Sequence, residues 1–217
     1  MERALFFIYM GTLLLSAILA VVYRKSLVRW CLIIMTFYLP LVFIMEVYQA
    51  LRLYIWKNPT AFVYNIYKPL SVVVFAAIYY SVPIMFRFRK LIVGITLAYL
   101  TVVVINYLFI VSIFQNNTYL TLARGICITF FAVFFLMGVF LLDKSAEEKF
   151  WQPLIWVTIG VLIFYPVISI SLGFEEYLRH YNATIGGFKL YQGIPRLMSI
   201  FMYGCFSYAF YLCKKRS

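Results

Sequence analysis

Seven stretches of this chain read as continuous apolar runs, each about as long as a bilayer core is thick. They cover about residues 5–23, 27–50, 61–86, 91–114, 119–142, 150–173 and 194–213. Roughly 20 predominantly apolar residues make a helix that spans ~30 Å of hydrocarbon, so each run predicts one membrane helix. Transmembrane β-strands are only about 10 residues long and alternate polar with apolar positions. These runs are longer and unbroken. Short connectors separate the first six, and Asn58-Pro59 and Gln115-Asn116-Asn117-Thr118 supply turn-forming residues. The connector before the last run is longer, Phe174 to Gly193, with Gly186-Gly187 as its predicted turn. The expected fold is all-α: a polytopic membrane bundle of seven transmembrane helices, with residues 1–217 forming a single integral membrane domain.

The first run ends on Arg24 and Lys25 and is preceded by only one base, Arg3. A signal peptide carries its positive cluster before the apolar stretch. The first run is therefore expected to stay as a helix, with its N-terminus outside.

Composition agrees with this pattern. The hydrophobic set makes up 65% of residues and charged residues only 12%, against roughly 45–50% and 25% in soluble domains. The net charge of +12 does not point to nucleic acid, because the bases cluster at the ends of apolar runs, where they set topology. Arg24, Lys25, Arg29, Arg87, Arg89, Lys90, Lys144, Lys149, Lys214, Lys215 and Arg216 fall on one side, and Arg3, Arg52, Lys57, Arg179 and Lys189 on the other. The richer side is cytoplasmic by the positive-inside rule, which places the N-terminus outside and the C-terminus inside. Trp30 and Trp151 are then expected as aromatic anchors at the inner interface, and Trp56 at the outer. Cys31, Cys127, Cys205 and Cys213 form no C-x-x-C pair and read as small hydrophobes.

An ionisable residue inside a membrane helix is costly and marks a candidate site. Glu46, Asn65, Lys68, Asn106 and Arg124 fall near the outer ends of their runs, roughly 6–12 Å below the surface at the helical rise. Tyr165, beside Pro166, and Arg196, beside Pro195, belong to the same level. The seven residues are the expected lining of an outward-facing polar pocket, with Glu46 paired to Lys68 or to Arg124. The competing reading is that the bases snorkel to the interface and line nothing. Lys68 has a further alternative: if Pro69 opens the third helix, a favoured place for proline, Lys68 lies at the surface. Pro40, Pro69 and Pro166 lie within runs and kink helices there.

No enzyme chemistry is expected. Glu176 and His180 share a helix face in the last connector, but two ligands do not make a metal site, and His180 is the only histidine. No H-E-x-x-H, Walker A or G-x-S-x-G sequence occurs. A retinal Schiff base needs a lysine in the last helix, and 194–213 has none. No catalytic set, metal or cofactor is assigned. Asn116-Asn117-Thr118 and Asn182-Ala183-Thr184 match the glycosylation sequon.

The segments Asn65-Ile66-Tyr67-Lys68-Pro69-Leu70, Phe86-Arg87-Phe88-Arg89-Lys90 and Ile105-Asn106-Tyr107-Leu108-Phe109, with Trp156, Gly160 and Tyr165, resemble a family of small seven-helix proteins of Bacteroidota. These are often encoded beside sensor histidine kinases. The resemblance implies a sensory or accessory role in a bacterial cytoplasmic (inner) membrane, with a histidine kinase as signalling partner, and brings no catalytic residues. Where family members carry an acidic residue after the fourth connector, this chain has Arg124. The expected partners are thus the lipid bilayer and a membrane-associated signalling protein. A small secondary transporter and a structural subunit of a larger complex are the alternatives.

Overall fold

A computed structural model describes residues 2–29, 31–56, 61–115, 117–141, 145–174, 184–185 and 188–215. Eight α-helices lie among them: α1 (Glu2–Val22), α2 (Arg24–Arg29), α3 (Met35–Trp56), α4 (Ala61–Ser81), α5 (Arg89–Phe109), α6 (Thr118–Leu141), α7 (Ser145–Gly173) and α8 (Leu190–Lys215). A 3-10 helix, Pro83–Phe88, leads into α5. Two short strands, β1 (Thr184–Ile185) and β2 (Phe188–Lys189), pair antiparallel on either side of the expected Gly186-Gly187 turn, which itself lies outside the described residues.

Five segments combine the length and apolarity needed to cross a bilayer: Ala4–Val22, Ala61–Ser81, Pro83–Phe109, Thr118–Phe140 and Trp151–Leu172. The chain is an integral membrane protein with five candidate spans among the described residues, not the seven that run length predicts. The two expected spans that fall short coincide with α3 and α8. Glu46, Gln49 and Arg52 dilute α3, while Pro195, Arg196, Lys214 and Lys215 dilute α8.

The boundary of the second run also changes. The expected helix 27–50 is broken, because Cys31 takes a left-handed φ of 58° between α2 and α3. A residue with a Cβ adopts that conformation at a cost, and the α-helix cannot continue through it. The next helix starts at Met35 and runs on to Trp56. The third run, expected to reach residue 86, stops at Ser81. Pro83 lacks an N–H and begins the 3-10 helix instead. The fourth run stops at Phe109, short of the expected 114.

Backbone proximity orders the long helices as α3, α1, α8, α7, α6, α4, α5, each packed on the next. α3 and α4 close the ring mainly through long side chains, since the Tyr38 ring meets both Tyr67 and Phe75. Two glycines permit the tightest helix pairs. A Cβ on Gly160 of α7 would lie 3.0 Å from the Cβ of Cys205 and 3.3 Å from the Met202 carbonyl on α8. One on Gly125 of α6 would collide with Ser169 Oγ on α7.

Part of the bundle is packed with aromatics. Tyr79, Phe131, Phe135, Phe206 and Phe210 are fully buried, and Phe88 stacks on Phe134 with centroids 5.3 Å apart. Trp151, expected as an interfacial anchor, opens the span Trp151–Leu172 and is packed against the core there. Trp30 and the Trp56 side chain lie outside the described residues, as do Glu175, Glu176, His180 and both sequon positions Asn116 and Asn182.

Candidate functional site

The polar residues inside the bundle form two groups that meet at a set of tyrosines. The first lies where α4 begins. Its anchor is Asn117, which caps α6: the side-chain oxygen accepts the Leu120 N–H at 3.1 Å, the role asparagine fills at helix starts. The Asn117 amide donates to Asn106 Oδ1 on α5, and its carbonyl accepts from Lys68 Nζ at 2.8 Å. Lys68 also donates to Asn65 Oδ1 at 2.9 Å. Asn65 in turn donates to the carbonyls of Ile113 and Gln115 at 2.6 and 2.8 Å.

Three of the expected site residues, Asn65, Lys68 and Asn106, are therefore brought together. Asn65, only 1% exposed, ties the α5–α6 connector down onto α4 and is a structural lock more than a pocket wall. Pro69 sits inside α4, and Lys68 is 6% exposed, so the surface alternative for Lys68 does not hold. The lysine does not snorkel.

Arg124 lies next to this group and interacts electrostatically with Lys68. It is 8% exposed. Its guanidinium carbon stands 5.4 Å from the Tyr67 ring centroid and 5.6 Å from that of Tyr165, while Tyr38 and Tyr99 also lie within electrostatic range. Tyr165, another expected site residue, hydrogen-bonds Ser71 of α4. The Nε–H of Arg124 is buried without an acceptor.

The second group centres on Glu46. The hydroxyls of Tyr9 on α1 and Tyr64 on α4 hydrogen-bond its carboxylate, and the base that acts on it is Arg196 of α8. The pairing expected with Lys68 or Arg124 is corrected: Glu46 turns to α1 and α8, and the two other bases lie beyond the tyrosines. Arg196 also sits over the Phe6 ring at 5.6 Å. Because α3 extends to Trp56, Glu46 stands near the middle of that helix, while its partners Tyr9, Tyr64 and Arg196 come within about two turns of the starts of α1, α4 and α8.

Tyrosine joins the two groups. Tyr38 and Tyr67 share a hydroxyl hydrogen bond, and Tyr9 faces Tyr203 with centroids 6.2 Å apart. Tyr9, Tyr38, Tyr64, Tyr67, Tyr203 and Asn117 were missed by a reading that counted tyrosine as apolar and Asn117 as connector. A usable signal was present: Tyr64, Tyr67 and Ser71 repeat at i, i+3 and i+7 beside Lys68, the spacing of one helix face.

Such an interior can hold charge in a site shielded from lipid. It has no group of three metal-ligating side chains among the described residues. No protein-family model, curated protein or solved structure matches the chain.

Proposed function

We propose that the chain is a receptor-like sensor of a bacterial cytoplasmic membrane. Its interior polar site is reached from outside, and the signal passes to a separate protein such as a histidine kinase. The observation that carries this reading is Arg124, buried between Tyr67 and Tyr165 beside buried Lys68, with a free donor. An ionisable group held at such cost inside a membrane bundle marks function by default. The fully buried Tyr79, Phe131, Phe135, Phe206 and Phe210 favour sensing over transport, because they offer a polar solute no route onward.

In this reading α3 and α8 cross the membrane beside the five apolar spans, giving seven crossings with the N-terminus outside and the C-terminus inside. Each is long enough, at 22 and 26 residues. Gln49 of α3 is buried, and Glu46 of α3 and Arg196 of α8 are half-buried, while Lys214 and Lys215 lie at the end of α8. The basic clusters set the direction.

Transport is the second reading, and the prolines inside α3, α4 and α7 favour it. Transporter sites lie near the bilayer midplane among broken helices. Thiol labelling separates the two. In a chain cleared of its four cysteines, Asn106→Cys should react with an impermeant reagent from outside. Ala132→Cys should stay unreactive from the cytoplasm. Labelling of position 132 from the cytoplasmic side would replace the sensor with alternating access.

A further inference from the structure

We infer that Arg124 anchors a binding site for a phosphate-bearing anion, either free in the medium or carried on a lipid headgroup. The inference rests on the proposed interior site and names its ligand class.

The charge balance carries the argument. Among the described residues, Lys68, Arg124 and Arg196 stand around the tyrosine cluster with one carboxylate, Glu46. Glu46 is engaged by Tyr9, Tyr64 and Arg196. Lys68 has two acceptors, Asn65 and Asn117, both uncharged. Arg124 has no carboxylate partner among the described residues; its neighbours are the neutral rings of Tyr67 and Tyr165. Lys68 and Arg124 thus bring two positive charges that have no carboxylate partner among the described residues.

Arginine does not shed its proton there. Burying one ion is costly even after relaxation. Cation–π contacts offset part of that cost, and Arg124 has two such rings. The rings attract the guanidinium faces but accept nothing from its Nε–H, which is left buried and unpartnered. A donor of this kind implies an acceptor that arrives from elsewhere. A phosphate supplies both missing elements, oxygens for Nε and one to two negative charges for the excess. Tyr67 and Tyr165 hold the guanidinium between their rings, so less freedom is lost when the anion binds.

The test measures the melting temperature of the purified chain in a neutral detergent as sodium phosphate replaces sodium chloride at constant ionic strength. A second arm compares nanodiscs of phosphatidylcholine with nanodiscs that also contain phosphatidylglycerol. The chains are wild type, Arg124→Gln, Arg124→Lys and, as a surface-base control, Lys25→Gln. A saturating rise in wild type and Lys25→Gln is expected. In Arg124→Gln its midpoint should move about ten- to a hundredfold higher, the loss of one charge-assisted hydrogen bond. Arg124→Lys keeps the charge without the planar fork and should fall between. A rise with dissolved phosphate assigns a free anion, and a rise only with phosphatidylglycerol assigns a headgroup.

The absence of a saturating rise in both arms overturns the site, and so does an unchanged midpoint in Arg124→Gln. If Arg124→Gln does not fold, an unchanged midpoint in Arg124→Lys overturns it equally. Phosphate binding without outside labelling of Asn106→Cys would sink the outward-facing sensor and leave the anion site standing. The reverse result would sink the anion site alone.

Discussion

The hydroxyls of Tyr38 and Tyr67 lie 2.8 Å apart, with the two rings stacked 11° from parallel. The pair joins α3 to α4, the helices that close the ring with few backbone approaches, and Tyr67 goes on to cover one face of Arg124. A hydrogen bond in this position therefore supports both the closure of the bundle and the platform of the site.

Tyr38→Phe keeps the ring and removes the hydroxyl. The lost bond is worth about 0.5–1.5 kcal/mol, and a buried Tyr67 hydroxyl left without its partner adds about 1–3 kcal/mol. Tyr38→Phe with Tyr67→Phe should cost less than the two single changes together. Thermal melts in detergent, arranged as a double-mutant cycle, measure the coupling. Additive losses would mean the hydroxyls do not pair.

The electrostatics of Glu46 make a second cycle informative. Glu46→Gln and Arg196→Gln should each destabilise the bundle, with a coupling of about 0.5–3 kcal/mol, as expected for residues of one network. Glu46→Gln with Lys68→Gln should add within about 0.5 kcal/mol. Strong coupling to Lys68 and none to Arg196 would reverse the assignment.

Gly160 tests the packing of α7 on α8. An alanine there brings its Cβ against Cys205 and against the Met202 carbonyl, and a backbone atom cannot rotate aside. Gly160→Ala should lower stability by about 1–3 kcal/mol, the usual cost of overpacking. Gly11→Ala, where a Cβ meets nothing within 4 Å, should be close to neutral or stabilising. Equal melts for the two variants would remove the close approach.

Topology is open to direct measurement. Reporter fusions at Arg24, Lys57, Arg89, Thr118, Ser145, Ala183 and Ser217 should alternate in side, beginning and ending in the cytoplasm. Two successive fusions on one side would reduce the number of crossings and show which of α3 and α8 fails to cross.

Helix existence was legible in the sequence because apolar runs of membrane length permit little else. Their ends were less so. The break at Cys31, two residues after Arg29, has no glycine or proline to announce it, and its left-handed φ is a tertiary outcome that no local residue type signals. Pro83 did announce the stop after Ser81, but the hydrophobicity of Ile84, Met85 and Phe86 concealed it. Of the site, Lys68, Asn65, Asn106, Arg124 and Tyr165 were found from cost alone, since polar groups in such runs stand out. Their partners were not, because which helix faces which is a tertiary fact. Glu46 was expected to pair with bases of the same depth, Lys68 or Arg124, whereas the base that acts on it, Arg196, comes from the last helix.

That last helix has a consequence for biogenesis. Helices emerge from the ribosome in chain order, yet α8 lies between α1 and α7 in the finished ring. Until residues 190–215 have been made, α1 and α3 have each other but no broad backbone seam with the α4–α7 group. The nascent chain must keep two partial assemblies side by side in the lipid, with Glu46 lacking the arginine that balances it. The C-terminal segment then acts as the keystone, inserted last and touching both halves. A chain truncated before residue 190 would make most of the helices and still leave the quality-control machinery an open molecule to degrade.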